Sequence, residues 1–173
     1  MARLADIPAG ERKLIKRMPV PVFDATPFVK GKPLSQRRVS ILSTAALQKR
    51  DDKVFSRGEA SYRIIPSDTA PEDIIMSHNS VNFDRSGFQQ DLNVCFPLQR
   101  LHELADEGFI GSVADYHYTV LGSVPPGENE GTARQIAGLM KREGVDAAVL
   151  VPDLSAYRSH QAASGALGSL RAW

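Results

Sequence analysis

The sequence predicts an α/β fold: a mainly parallel sheet flanked by helices, in a Rossmann-like three-layer sandwich. Short apolar segments followed by loops, amphipathic segments that end in glycine, and the alternation of the two along the chain predict it. The 173 residues, 42% of them hydrophobic, suffice for one such domain. We expect a basic, proline-rich N-terminal arm over residues 1–37 and a single α/β domain over residues 38–173, which is short at its C-terminal end.

The N-terminal arm is predicted to hold one short helix. Residues 10–18 have helical character and Pro19 ends them, because proline lacks the amide hydrogen and clashes with the preceding turn. Residues 19–34 contain four prolines, which is typical of an extended arm. Residues 1–57 carry 13 Lys+Arg against 5 Asp+Glu. Because aromatic side chains do not alternate with these cations, we expect the arm to pair with the acidic remainder of the chain and not with nucleic acid.

The first strands of the domain follow the arm. Residues 38–44 and 62–66 are short, apolar and followed by polar residues, as buried strands of an α/β sheet are. Residues 75–81 predict a third strand. Residues 45–60 are polar and charged without a clear period, and they predict a long loop.

The second half of the chain predicts two helices and three strands. Residues 96–108 have Pro97 at the entry and Gly108 at the exit, residues 131–144 likewise end in a glycine, Gly144, and both segments carry one apolar face. The predicted strands are residues 110–113, 116–121 and 145–151. Because ligands of such sheets lie beyond the carboxyl ends of the strands, we expect the segments after Thr44, Leu121 and Val151 to lie near one edge.

Several classes of function are excluded by the composition. No segment approaches the ~20 apolar residues of a membrane span, and the first residues lack the apolar run of a signal peptide, so we expect a cytoplasmic protein without a membrane partner. The single cysteine excludes an intramolecular disulfide and cysteine-rich zinc sites. Residues 122–131 lack GxGxxG and GxxxxGK[ST] and carry two glutamates, which would repel phosphate. We therefore predict no cofactor and no metal.

The densest polar block is residues 76–96. Two interpretations remain open at this point: a polar pocket lined by residues such as His78, Arg85 and Asp91, or a loop pinned to the core by an Asp84–Arg85 pair and by amides. We interpret Cys95 as a buried thiol and His102 as a solvated residue on the polar face of its helix. The predicted substrate-binding residues are His78, Asn82, Asp84, Arg85, Gln89, Asp91, Asn93 and His117.

The same block resembles the selenoprotein B family of glycine/sarcosine/betaine reductases, which includes the D-proline reductase selenoprotein subunit. The chain is similar to its short single-domain members over residues 35–153. The resemblance rests on Ser77-His78, Asn82-Phe83-Asp84-Arg85, Gly87-Phe88-Gln89, Asp91-Leu92-Asn93-Val94, Phe96-Pro97-Leu98 and Val149-Leu150-Val151-Pro152.

The resemblance implies an oxidoreductase of amino-acid metabolism. A selenocysteine or cysteine just after the strand that ends in Val-Pro attacks the α-carbon of an amino acid and displaces its amine, and a neighbouring cysteine resolves the intermediate. In larger complexes, a pyruvoyl-bearing partner subunit holds the substrate amine. The implied reaction is reductive cleavage of glycine, betaine, sarcosine or D-proline with a dithiol/disulfide as redox partner.

This chain departs from the family after Pro152. Residues 153–161 read DLSAYRSHQ, with neither cysteine nor selenocysteine, so no catalytic residue is assigned. Three explanations stay open: a divergent non-redox member, a truncated or frame-altered end, or a subunit that borrows its redox centre. The alternative function is therefore a non-catalytic binding or assembly subunit that lost the redox residue. The partners we expect are a small amino-acid substrate and a partner subunit of a reductase complex.

Overall fold

A computed structural model describes Ala5 and residues 8–17, 29–79 and 85–152. Helix α1 is Ala9–Arg17, which confirms the predicted N-terminal helix. Most of the predicted proline-rich segment, the predicted site residues Asn82 and Asp84, and the tail after Pro152 lie outside the described residues.

The described part of the domain contains short strands and three further helices. The strands are β1 (Arg38–Ser43), β2 (Leu47–Lys49), β3 (Tyr62–Pro66), β4 (Ile74–Met76), β5 (Ser112–Val113), β6 (Tyr116–Val120) and β7 (Ala147–Val151). The helices are α2 (Ser86–Gln90), α3 (Leu98–Asp106) and α4 (Glu130–Arg142).

Strand β1 lies at the centre of the larger sheet. It pairs in parallel with β7 on one side and with β5 and β6 on the other, while β3 pairs antiparallel with β6. Strands β2 and β4 form a separate antiparallel pair. The prediction of a mainly parallel sheet is therefore corrected to a mixed α/β sheet, and a Rossmann-like arrangement is not confirmed. The physical reason is the connection before β3: β1 and β3 lie on opposite sides of β6, and no helix occurs between them to carry the chain back to the edge where β1 starts, so β3 runs antiparallel to β6.

The two faces of the sheet are each covered by one helix. Alternate residues of β1 point to opposite faces, so Val39 and Ile41 pack with the apolar stripe of α3, whereas Leu42 packs with that of α4. Strand β7 contributes to both clusters, with Val149 on the first face and Leu150 on the second. This explains why β7 is apolar at every position instead of alternating.

The long amphipathic segments are predicted correctly, and two short elements are missed. Helices α3 and α4 and the strands β1, β3, β6 and β7 are confirmed, and Gly144 after α4 has φ +73°, a conformation that favours glycine. The predicted loop over residues 45–60 is wrong in part, because it contains β2. Strand β4 is shorter than predicted, and the polar block contains the unpredicted helix α2.

Candidate functional site

The carboxyl ends of β1, β6 and β7 meet at one edge of the sheet, which we call the carboxyl edge. The amide of Thr44 donates to the carbonyl of Val151 at 3.1 Å, and the amide of Gly122 donates to the carbonyl of Thr44 at 3.0 Å. This confirms the prediction for the segments after Thr44 and Leu121, which lie at the end of β7; beyond Pro152 the segment after Val151 lies outside the described residues. A Cβ on Gly122 would lie 2.9 Å from the Thr44 carbonyl oxygen, so this close approach requires glycine.

A strained residue anchors the polar loop that follows β4. Ala46 is fully buried and has φ +52°, a left-handed conformation that costs a non-glycine residue about 1–2 kcal/mol. Its carbonyl accepts the amide of Ser77 at 3.0 Å, and the Ser77 hydroxyl donates to the side-chain oxygen of Gln48 at 2.5 Å. Through its bond to Ser77, the conformation at Ala46 thus fixes the position of His78, the residue after Ser77.

His78 and Arg85 are brought together at this edge. His78 is 1% exposed, and burial lowers the pKa of its imidazole, as does the positive charge of Arg85. A guanidinium nitrogen of Arg85 donates to the carbonyl of His78 at 2.5 Å. The adjacent Asn79 accepts from the hydroxyl of Ser123 at 3.3 Å, which ties this loop to the segment after β6. The result is a neutral imidazole and an exposed cation beside the ends of the strands.

Asp91 and Asn93 lie elsewhere, in a cavity beside α3. Both the backbone amide and the side-chain amide of Asn93 donate to Asp91 Oδ1, at 2.9 and 2.8 Å, and the backbone bond is the main cause of the lowered pKa of Asp91. The cavity has a volume of about 360 Å³ between α3 and the connection of β3 to β4, and we call it the α3 groove. Gln89 is exposed on α2 and does not line it. Asp91 and Asn93 therefore lie apart from His78 and Arg85.

His117 is in the core and belongs to neither of these places. It has no exposed surface, and its Nδ1 accepts the amide of Ile41 at 3.0 Å, so the neutral ring carries its hydrogen on Nε2. Nε2 is buried without a hydrogen-bond partner among the described residues. Burial lowers the pKa of His117 to about 4, and the ring lies edge-on to Phe96 with centroids 5.8 Å apart. In this structure the His117 ring accepts a hydrogen bond from the backbone of β1. Its predicted contact with substrate stays a prediction.

One polar contact in the α3 groove was not predicted. The Ser67 hydroxyl lies 3.0 Å from His102 Nε2, and both side chains line the groove. The expectation that His102 is exposed is confirmed, but it also faces this cavity. The two residues lie on a loop and a helix far apart in sequence, so no local pattern signals their contact.

The thiol of Cys95 is buried, as predicted. Its side chain belongs to the core and the residue is 3% exposed, while its carbonyl accepts the hydroxyl of Ser43 at 2.8 Å. Within residues 8–17, 29–79 and 85–152, no group of three or more His, Cys, Asp and Glu residues is arranged to hold a metal ion. In the same ranges, no helix has the length and apolar character needed to cross a membrane.

Comparison with known proteins supplies the family. The family model described as glycine/sarcosine/betaine reductase selenoprotein B matches residues 19–152. The chain is 33% identical over 135 residues to D-proline reductase subunit gamma of Acetoanaerobium sticklandii, a match that covers 76% of this chain and 53% of that protein. It is 26% identical over 140 residues to sarcosine reductase complex component B subunit beta of Peptoclostridium acidaminophilum, covering 76% of this chain and 32% of the relative.

These matches extend over only part of each relative. The chain spans about half the length of the first curated protein and about a third of the second. No solved structure matches. Because the family model covers most of the chain, including both the carboxyl edge and the α3 groove, this protein belongs to the glycine/sarcosine/betaine reductase selenoprotein B family.

Proposed function

We propose that this chain is a subunit of an amino-acid reductase complex, binds the substrate at its carboxyl edge, and works with a partner subunit that supplies the redox thiol or selenol. Family membership supports the proposal. Both relatives are named as subunits, one of D-proline reductase and one of a sarcosine reductase complex. The proposed substrates are glycine, sarcosine, betaine or D-proline.

The observation that carries the proposal is the position of the end of β7. The carbonyl of Val151 accepts the amide of Thr44, so β7 ends at the carboxyl edge, the edge at which His78 and Arg85 come together. What the resemblance implies is a redox residue just after the strand that ends in Val-Pro, here after Pro152. A partner's thiol or selenol that takes this place would therefore meet a substrate bound at the same edge.

Arg85 is the proposed anchor of the substrate. All four proposed substrates carry a carboxylate, and the guanidinium of arginine matches a carboxylate with two parallel hydrogen bonds. Arg85 is exposed, and the hydrogen bond it makes within the described residues uses one of its five N–H donors, for the carbonyl of His78. Asn82, Asp84 and Gln89 remain proposed substrate contacts on the same polar block.

The proposed reaction is a two-electron reduction of a carbon–nitrogen bond. A dithiol gives up two electrons and two protons and becomes a disulfide. The carbon–nitrogen bond breaks, carbon gains one hydrogen, and nitrogen leaves with the other as an amine, or stays attached at its other end when a ring opens. No group of this chain changes its oxidation state in that balance, which agrees with its single buried cysteine.

The test is dithiol-dependent cleavage of the four substrates by the chain alone and with the companion reductase subunits of its source. Released amine or ring-opened product and oxidised dithiol should appear in equal amounts, and only when the partner is present. Arg85→Gln should raise KM without a matching loss of kcat, whereas Arg100→Gln, an exposed arginine on α3, should leave both unchanged. Absence of turnover in every combination removes the enzymatic proposal.

A second candidate, a non-catalytic assembly subunit, is favoured by the burial of Cys95. It is the one thiol of the chain, and its side chain packs in the core. Complex formation with the companion subunits, measured by light scattering, without any substrate binding at Arg85 would support this candidate over the first. A chain that binds neither those subunits nor any of the four substrates contradicts both candidates. Turnover that is lost in a folded Cys95→Ala variant also contradicts both, because each requires that this thiol takes no part in redox chemistry.

A further inference from the structure

The α3 groove is a second cavity that the proposed reaction does not use. Its lining shares no residue with the pair His78 and Arg85 at the carboxyl edge. We propose that the α3 groove binds a small organic cation: an amine or ammonium group on a compact apolar body, without a carboxylate. This inference does not depend on the proposed reductase function.

The size and floor of the groove fit a small molecule with an apolar body. A volume of about 360 Å³ lies at the lower end of ordinary ligand pockets, which are apolar with a few polar groups at defined positions. Ile74, Phe96 and Leu98 form a buried apolar floor. A branched chain of about five carbons that enters this space removes apolar surface of both partners from water, at roughly 25 cal/mol per Å².

The charge of the rim selects a cation. Asp91 is the one aspartate or glutamate that lines the groove, neither lysine nor arginine lines it, and the positive charge of Arg100 acts on Asp91 from outside the lining. Its Oδ1 accepts both bonds from Asn93, which holds the carboxylate in place. Among the described residues, Oδ2 has no hydrogen-bond partner in the groove, so it can accept an ammonium hydrogen.

The same rim disfavours an amino acid. A ligand carboxylate would meet the negative charge of Asp91, while the imidazole of His102 is already engaged by the hydroxyl of Ser67. The cation suited to a carboxylate, Arg85, lies at the carboxyl edge and does not line the groove. An amine and a zwitterion with the same apolar body should therefore bind differently, and this difference separates the α3 groove from the proposed substrate site.

The test is an NMR titration of the full ¹⁵N-labelled chain with isopentylamine, 4-methylpentanoate and leucine, which share one apolar body. We expect saturable shifts from isopentylamine at the backbone amides of residues 67–69, 90–93 and 98–102, and weaker or no saturation with the other two. Equal binding of either carboxylate compound, or no saturable shift with the amine, overturns the proposal.

Asp91→Asn isolates the charge, because asparagine keeps an oxygen that can accept both bonds from Asn93 and so preserves the turn. It should weaken isopentylamine binding about three- to fivefold, the size expected for an exposed ion pair. The matched control, Asp106→Asn, removes an exposed carboxylate from the other end of α3 and should leave the affinity unchanged. Equal affinity of Asp91→Asn and the parent chain overturns the proposal, as does an equal loss in the control.

Discussion

Replacing His117 by asparagine should reduce the loss of unfolding free energy that this domain shows when the pH falls. The imidazole is fully buried, and its Nδ1 accepts the amide of Ile41, so protonation at Nδ1 places a second N–H against a donor and also puts a charge in the core. The pKa of His117 is lowered from 6.5 to about 4, chiefly by burial. Between those two pH values, the unfolded chain therefore binds a proton on His117, whereas the folded chain does not.

The sign and size of the effect follow from this difference. Above pH 6.5 the group is neutral in both states and has no effect; as the pH falls toward about 4, the free energy of unfolding decreases. A difference of two to three pKa units corresponds to a loss of about 3 kcal/mol by pH 4. Asparagine places its side-chain oxygen near the position of Nδ1, so the bond from Ile41 is retained and the titration is removed.

The assay is urea unfolding of the parent chain and the variant at pH 7.5 and pH 4. The parent should lose about 3 kcal/mol more than His117→Asn between the two pH values, because the other titrating groups, His78 included, are common to both proteins. His102→Asn is the control, since that residue is exposed and its loss should leave most of the difference intact. If His117→Asn and the parent lose the same free energy, the assignment of the acid sensitivity to His117 is wrong; a proton NMR titration of the His117 ring with a midpoint near 6.5 would refute it directly.

Three further substitutions test the structure. Gly122→Ala should destabilise the domain by about 1–3 kcal/mol in urea unfolding, because its Cβ would lie 2.9 Å from the carbonyl oxygen of Thr44; an unchanged stability would contradict the close approach. Glu143→Gln should reduce the free energy of unfolding by roughly 1–3 kcal/mol, because the largely buried carboxylate pairs with Arg38 at 3.1 Å; an unaffected midpoint would show that the pair adds nothing. Hydrogen bonds lower the pKa of Glu59 to about 2, so its carboxylate stabilises the fold above pH 4.5 and loses that effect as the pH falls toward 2. Glu59→Gln should therefore flatten the acid unfolding curve below pH 4.5. An identical curve would count against these bonds.

The elements that the sequence predicts well are those whose own residues determine them. Helices α3 and α4 carry an apolar stripe, and α4 is followed by a glycine in the left-handed conformation, so both are visible locally. Strand β2 is only three residues long, includes Gln48 and Lys49, and exists because β4 pairs with it. Helix α2 has five residues and no side-chain cap, so local helix preference does not predict it.

The site divides in the same way. The polar block identifies His78 and Arg85, and the structure joins them, but it directs Asp91 into a different cavity because α2 and the turn after it lie between them. Another polar contact of the groove joins Ser67 and His102, which only tertiary packing brings together. The direction of β3 likewise depends on a connection without a helix, and alternation of apolar segments along a chain does not reveal strand direction.

The pairing of β1 has a consequence for the order in which this domain is built. This strand is among the first to be synthesised, yet its three partners β5, β6 and β7 all come after residue 111. On the ribosome, an apolar segment therefore waits for most of the domain before it has a neighbour in the larger sheet. Because such distant contacts must close long loops before they stabilise anything, we expect slow folding and a period in which β1 is exposed to chaperones or to mispairing with another nascent chain.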